Sequence, residues 1–394
     1  METAKIDLGG LRVTLKKPRV VAERSHGRCW YPDLLKFSTG ELMLNHSLNA
    51  DRTDNLHDSQ AVYISSEEGH SFDFAYDVNG FHSSGGEPRI SLSDGRIVGS
   101  SGFFKLDQQK SPQRFRTHYW SYSQGGRRYC VEPWSVVVEG LPGPVGVGGD
   151  HGGRWARMSG FGDILVLDDK TWLSTLGVTY KGDKRASIVT TISHNEGHCW
   201  QYLSTIAVPD DAPTGMEGFG EPCLVRLADG DVMCIMRVGQ HHKQPDQWLR
   251  RATSSDEGRS WSAIDILPAY SVAPQICRLE NDVLLLSTGR PGIFLWLSGD
   301  ARGTQWNPVD IVDWHNKALD EPSHIKIPAP ASTGIDPLSA RKGQTTSYTA
   351  MVEVSPNRIF LVYDRTPLGW QALEKDSGQR SQIYLLEAEI ERTS

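Results

Sequence analysis

The apolar positions of this chain fall in short runs broken by turn residues, and five stretches share one plan: "WYPDLLKFSTGELML" (30–44), "EPRISLSDGRIVG" (87–99), "EPCLVRLADGDVMCIMR" (221–237), "APQICRLENDVLLLSTGR" (273–290) and "SYTAMVEVSPNRIFLVYDR" (347–365). In each, a polar or aromatic residue precedes a proline-like position and a short apolar strand follows. A turn comes next, at Gly40, Asp94-Gly95, Asp229-Gly230, Asn281-Asp282 or Pro356-Asn357, and then a second apolar strand. This is the pattern of a β-hairpin with its turn chemistry in place. "RWARMSGFGDILVL" (154–167) fits as a weaker sixth copy. Hairpins recurring at intervals of about 45–65 residues predict an all-β, six-bladed β-propeller of four-stranded antiparallel blades. Seven blades is the alternative count, because 100–150 carries little pattern.

A second repeat is interleaved with the first. "SSDEGRSW" places Ser254, Asp256, Gly258 and Trp261 at fixed offsets, and "SHNEGHCW" does the same with Ser193, Asn195, Gly197 and Trp200. "SEEGHSF" (Ser65, Ser66, Glu67, Gly69, Phe72) and "SGDARGTQW" (Ser298, Asp300, Gly303, Trp306) are looser copies. Such a turn needs side-chain oxygens for its backbone N–H groups, a glycine for positive φ, and an aromatic to pack inward. These positions are read as peripheral staples.

Composition narrows the picture. The chain has 394 residues with Gly 39, Pro 21 and Trp 12 at 38% hydrophobic content, which suits many strands and turns. It is read as one domain over 1–394, with a long loop insertion at about 307–342, where Pro, His and Asp replace alternation. A net charge of −7 without a basic stripe argues against nucleic acid as a partner. No apolar run approaches the length of a membrane helix, about 18 residues. The start, METAKIDLGG, lacks a signal-peptide layout and predicts a cytoplasmic protein, or a secreted or periplasmic one if a leader has been removed. Cysteines 29, 130, 199, 223, 234 and 277 are irregularly spaced and are read as buried free thiols. No metal-ligand spacing is present, and no cofactor is expected.

In a propeller the starts of the innermost strands converge, so the residues before them face one small volume. Here these are Tyr31, Glu87, Glu221 and Tyr348, with Ala273-Pro274-Gln275 in the fifth copy. Two acids and two tyrosines form a chemically capable set. The structural alternative is that Glu87 and Glu221 cap neighbouring backbone.

At these residues the chain resembles the sialidase superfamily, propellers with Asp-box turns. "GEPCLVRLADGDVMCIMR" is similar to the strand pair carrying the glutamate that partners the nucleophile and an arginine of the carboxylate-binding triad, implying Glu221 and Arg237. "STGRPGIFLWLSGDARGTQW" resembles the segment with another triad arginine, Arg290, and "TSYTAMVEVSPNRIFLVYD" the one with the nucleophilic tyrosine, Tyr348. The catalytic acid would fall near Asp54 in "NADRTDNLHD", or at Asp51 or Asp58. The resemblance implies an exo-acting glycoside hydrolase that retains configuration and takes a carbohydrate substrate. A carboxylate accepting the phenol proton makes tyrosine a competent nucleophile, and sialidases depart from the two-carboxylate scheme in this way. The remaining arginines would grip a substrate carboxylate bidentately.

The chain departs from the family at one point. Trp30-Tyr31-Pro32 stands where the first triad arginine is expected, with Arg28 and Arg89 as nearby substitutes. An aromatic pair there suits the face of a different terminal sugar, acidic or deoxy, stacked on Trp30. Histidines 46, 57, 82, 151, 241 and 242 form no metal motif, but His46 and His57 lie near the expected acid. They leave open a polysaccharide lyase using His and Tyr, and a non-catalytic glycan-binding propeller is the third reading.

Overall fold

The computed structural model describes residues 2–48, 59–65, 68–79, 89–92, 94–100, 104–108, 113–148, 155–213, 217–239, 248–328 and 342–393. The chain forms two compact units. One comprises Met1–Gly85 with Tyr270–Ser394, the other Gly86–Ala269.

Among the described residues, the first unit holds three sheets. Trp30–Lys36, Leu42–Ser47, Ser59–Ser65 and Asp73–Asn79 pair antiparallel in chain order. Gln275–Arg278, Leu284–Gly289, Ile293–Ser298 and Asn307–Asp310 do the same. In the third, Thr349–Ser355 pairs with Arg358–Arg365, which pairs with the long strand Ser381–Arg392. The free edge of that last strand takes both Leu11–Lys16 and Arg19–Arg24, so the start of the chain completes a sheet built by its end. Leu11, Val13 and Leu15 are buried while Arg12 and Thr14 are half-exposed, a period of two that fixes the face turned to the core. Every residue of Leu284–Gly289 is buried, and a strand covered on both faces reads as a continuous apolar run.

The second unit holds a separate four-stranded sheet, Phe219–Arg226, Val232–Val238, Leu249–Ser254 and Asp265–Leu267. It also holds two antiparallel runs joined into one sheet. Arg89–Ser91, Ile97–Ser100, Arg114–Tyr122 and Tyr129–Glu139 form the first run, which resolves the region where the sequence pattern is weak. Tyr129–Glu139 then pairs in parallel with Cys199–Ala207, beyond which lie Ser187–Ser193, Trp172–Val178 and Met158–Phe161.

Two expectations are corrected. The stretch 154–167 does not fold back on itself: Met158–Phe161 and Leu165–Val166 both pair with Trp172–Val178. Gly162 passes so close to that strand that an added Cβ would lie 2.2 Å from Thr175 Oγ1, and the turn comes later, where Asp168 accepts from the Lys170 and Thr171 amides. The stretch 307–342 is not simply a loop either. Asn307–Asp310 is an outer strand, and Ile311–Ala318 is an α-helix whose N-cap, Asp310, accepts from the Asp313 amide at 2.9 Å. Ile311, Val312, Trp314, His315 and Ala318 form its buried face. Residues 329–341 lie outside the described residues.

The repeated turns have the expected bonding. Ser254 Oγ accepts from the Gly258 amide at 2.8 Å and donates to Asp256 Oδ1, which accepts from the Ser260 amide at 2.8 Å. The Trp261 indole donates inward to Thr190 Oγ1 at 2.9 Å. In the copy at 193–200, Gly197 has φ 80°, and its carbonyl accepts from the Tyr119 hydroxyl at 2.6 Å. All six cysteines are free, as expected, but burial holds only for Cys29, Cys223 and Cys234; Cys130 is exposed.

Two glycines separate backbone strain from packing. Gly182 has φ 100° with open space around its Cα, whereas a Cβ on Gly197 would lie 1.8 Å from Tyr119 Oη. Gly182→Ala should cost about 1–2 kcal/mol, the left-handed penalty alone. Gly197→Ala should cost clearly more, because Tyr119 must also move. Equal shifts in thermal midpoint would show that the turn does not need this close approach.

Candidate functional site

Positive φ is rare outside glycine, and in this chain its distribution is informative. Among the described residues, Glu68, Glu196, Glu257, Asp282, Asn357 and Asp376 have it within turns. The others are Tyr31 (φ 49°), Glu221 (44°), Ala273 (40°), Arg290 (63°) and Ser347 (65°). Tyr31, Glu221 and Ala273 are the residues that the repeat places before an inner strand, and Ser347 immediately precedes the fourth, Tyr348. Four of these five, all but Ser347, stand before proline, where the backbone is ordinarily confined to extended conformations. At Tyr31-Pro32 and Glu221-Pro222 the strand register also slips, between Trp30 and Asp33 and between Gly220 and Cys223. Each is thus a bulge whose left-handed residue turns its side chain out of the sheet's alternation. Such strain costs on the order of 1–3 kcal/mol per residue and clusters at working sites.

In the first unit these corners gather an aromatic group. The Tyr31 and Tyr348 rings meet edge to face with centroids 4.5 Å apart, and Trp370 lies 6.4 Å from Tyr31. Arg290, between Gly289 and a cis-proline peptide, places its guanidinium 4.5 Å over Trp370 and 5.6 Å from the Tyr348 ring. It also donates to the Thr346 carbonyl at 3.2 Å. Tyr348, Trp370 and Arg290 are half-buried, so solvent reaches this group. Trp370 was not anticipated, because it lies in an irregular stretch outside both repeats.

Trp30 differs from expectation. It is 1% exposed, packed against Tyr31 at 5.6 Å and Trp370 at 6.1 Å, with the Arg28 guanidinium 5.0 Å over its ring. Its faces are taken by protein, so it does not present the sugar platform expected of it; it buttresses the rings beside it. Arg28 is held to Trp30 by this cation–π contact.

The second unit supplies Glu221 and Arg237. They face each other across adjacent strands, with Arg237 Nη1 donating to Glu221 Oε2 at 2.8 Å. Their side chains are 31% and 14% exposed. A carboxylate paired this way is oriented, and its guanidinium partner is already engaged in a charge-assisted bond. The expected partnership of Glu221 with Tyr348 joins residues of different units and rests on the sequence. Asp54, Asp51, Asp58, His57, Glu87, His82, His151, His241 and His242 lie outside the described residues, as does the side chain of Arg89.

His46, a candidate base for elimination, is 1% exposed and stacked on Tyr63. Burial, opposed by a bond to the Ser47 carbonyl, lowers its pKa to about 4. His315 is buried beside the Tyr363 hydroxyl and is lowered to about 4 in the same way. Among the described residues, no group of three or more His, Cys, Asp or Glu could hold a metal ion, and no helix is long and apolar enough to cross a membrane.

No protein-family model matches the chain, and no curated protein matches it in sequence. Solved structures do. A protein of unknown function from Dyadobacter fermentans DSM 18053 superimposes with a TM-score of 0.67 at 16% identity, covering 98% of this chain and 100% of its own. The Penicillium chrysogenum α-L-arabinanase complexed with arabinobiose gives 0.55 at 11% identity, covering 92% and 98%. The NanB sialidase of Streptococcus pneumoniae gives 0.54 at 10%, covering 94% and 70%. The fold is a β-propeller.

The two histidines lowered to about 4 contribute a pH dependence. Each is neutral in the folded protein above pH 4 or so, whereas an unfolded histidine titrates near 6.5. Between those values the unfolded chain binds more protons, so stability should fall as pH drops through the window and level off above it. Thermal midpoints measured from pH 7 to pH 4 should show this decline, with a shallower slope in His46→Gln. An unchanged slope in that variant would mean that His46 is charged in the folded protein.

Proposed function

We propose that the protein is an exo-acting glycoside hydrolase that removes a terminal sugar with retention of configuration. The observation that carries this reading is the coincidence of two independent signals. Tyr31 and Glu221, both singled out by the sequence, are held in left-handed, bulged corners, Ser347 has the same backbone immediately before Tyr348, and the Tyr31 and Tyr348 rings meet beside a cation and a half-buried tryptophan. That the similar folds include an arabinanase and a sialidase supports glycan chemistry. Fold likeness alone does not assign it.

In the scheme that the resemblance implies, the Tyr348 oxygen attacks the anomeric carbon while the bond to the aglycone oxygen breaks. Asp54 protonates that oxygen, and Glu221 takes the phenol proton. Water then releases the sugar from tyrosine by the reverse sequence. Elimination chemistry through His46 is disfavoured by its burial, since a base must reach the proton it abstracts.

The arginines bear on substrate. Arg237 is engaged by Glu221, Arg290 by two aromatic rings and a carbonyl, and the first clamp position is occupied by Trp30-Tyr31-Pro32. A carboxylate clamp depends on charge-assisted bonds of roughly 1.5–3 kcal/mol each, and this arrangement supports a terminal sugar other than a sialic acid. A neutral ring such as an arabinofuranoside fits a partly exposed tyrosine–tryptophan surface.

A panel of aryl glycosides tests this directly. An aryl α-L-arabinofuranoside should be cleaved with kcat/KM at least about tenfold above an aryl sialoside, the worth of one lost charged bond. Tyr348→Phe should abolish turnover and leave the thermal midpoint nearly unchanged. Strong preference for the sialoside would overturn the substrate reading, and full activity in Tyr348→Phe would overturn the nucleophile.

A further inference from the structure

A buried carboxylate behind the aromatic group has no place in the scheme above. Asp364 lies near the end of strand Arg358–Arg365 and is fully buried. Its Oδ1 accepts from Thr345 Oγ1 at 2.7 Å and from the Thr346 amide at 2.8 Å. Its Oδ2 accepts a short bond from Thr346 Oγ1 and one at 3.3 Å from the Tyr31 amide. Thr345 Oγ1 accepts in turn from the Ser347 amide at 2.9 Å. A bare buried carboxylate would cost several kcal/mol, so four donors on one side chain mark a built cradle, and its donors come from two separate places. One is the left-handed corner at Tyr31. The other is the segment 345–347 that ends in the left-handed Ser347 and delivers Tyr348. These two segments are not paired as strands, yet their rings meet at 4.5 Å.

We propose that Asp364 is a positioning residue: by holding the Tyr31 amide and the Thr345–Thr346 segment on one carboxylate, it fixes the Tyr31–Tyr348 ring pair in its working geometry. The inference rests on the reading of Tyr348 as a reacting group, and it adds a determinant that touches no substrate. Burial raises the carboxyl's pKa, and the threonine and backbone donors oppose that rise. Arg290 acts on the same segment through the Thr346 carbonyl, so the backbone of Thr346 is held on both sides of its Cα, at its N–H and at its C=O. Asparagine at 364 would preserve shape but turn an NH2 group toward donors that need an acceptor.

The test uses Asp364→Asn, with Thr346→Val and Thr346→Ser as a milder pair that removes or keeps the short hydroxyl bond. Near-ultraviolet circular dichroism reads the packing of the aromatic group independently of any activity, and far-ultraviolet spectra and thermal melts check the fold. In folded Asp364→Asn and Thr346→Val the near-ultraviolet signal should change. On the best aryl glycoside kcat should fall about 10- to 100-fold with KM moved less than about threefold, the scale expected when a reacting group is misplaced by an ångström or so. Thr346→Ser should restore both. If Asp364→Asn does not fold, the Thr346 pair decides alone. A lowered melting point with unchanged kcat and spectrum would reduce Asp364 to a stabilising residue and overturn the proposal. If the wild type cleaves no glycoside, the hydrolase reading fails, and the near-ultraviolet comparison still judges the positioning claim: an unchanged spectrum in the folded variants overturns it.

Discussion

The backbone at the starts of the inner strands is the constraint from which the site follows. A residue with a Cβ resists positive φ, and a residue before proline resists it further. Here Tyr31, Glu221 and Ala273 meet both conditions, and Ser347 meets the first. Conformations of this kind persist only where surrounding structure over-determines them. At Tyr31 the restraint is visible: flanking strand pairing on both sides of the bulge, burial of Trp30 beneath, and an amide held by Asp364. At Glu221 it is the opposing strand that carries Arg237. Regular extended backbone would send these side chains into the alternation of the sheet, where Glu221 would be buried or lost to the opposite face.

Polar and aromatic groups at the corners are arranged in layers. Deep in the first unit, Asp364 and the threonines satisfy one another. Above them Trp30 and Tyr31 fill space, and at the accessible level Tyr348, Trp370 and Arg290 remain half-buried. A guanidinium packed flat on rings keeps its charge near the tyrosine while its stem is immobilised. Glu221 and Arg237 have the same economy of parts, a carboxylate aimed by a cation. The sugar chemistry proposed above would need such fixed groups, because displacement at an anomeric carbon depends on alignment more than on new bonds.

Much of this was legible in the sequence because periodicity and turn chemistry are local. The hairpin plan located the inner strands, and the Ser-x-Asp-x-Gly turns announced bonds that the structure contains. Gly162 defeated the reading at 154–167, since a glycine needed for close approach looks like a glycine in a turn. The helix Ile311–Ala318 escaped because eight residues give barely two turns of signal. Asp364 and Trp370 were missed for a different reason. An acid at the end of the apolar run "IFLVYDR" and a tryptophan in an irregular segment acquire meaning only when distant segments meet. Positive φ at Tyr31 or Glu221 leaves no mark in sequence, since no glycine signals it.

The central claim is that these corners are kept strained for the side chains they carry, and the comparison of Glu221→Gly with Glu221→Ala tests it most directly. Both variants delete the carboxylate and its bond to Arg237, so the difference between them reports the backbone alone. At an ordinary strand position alanine is the more stable by roughly 0.5–1 kcal/mol. The account predicts the reverse here, with the glycine variant melting higher, since φ 44° costs alanine about 1–2 kcal/mol. An alanine variant as stable as the glycine variant, or more so, would contradict it.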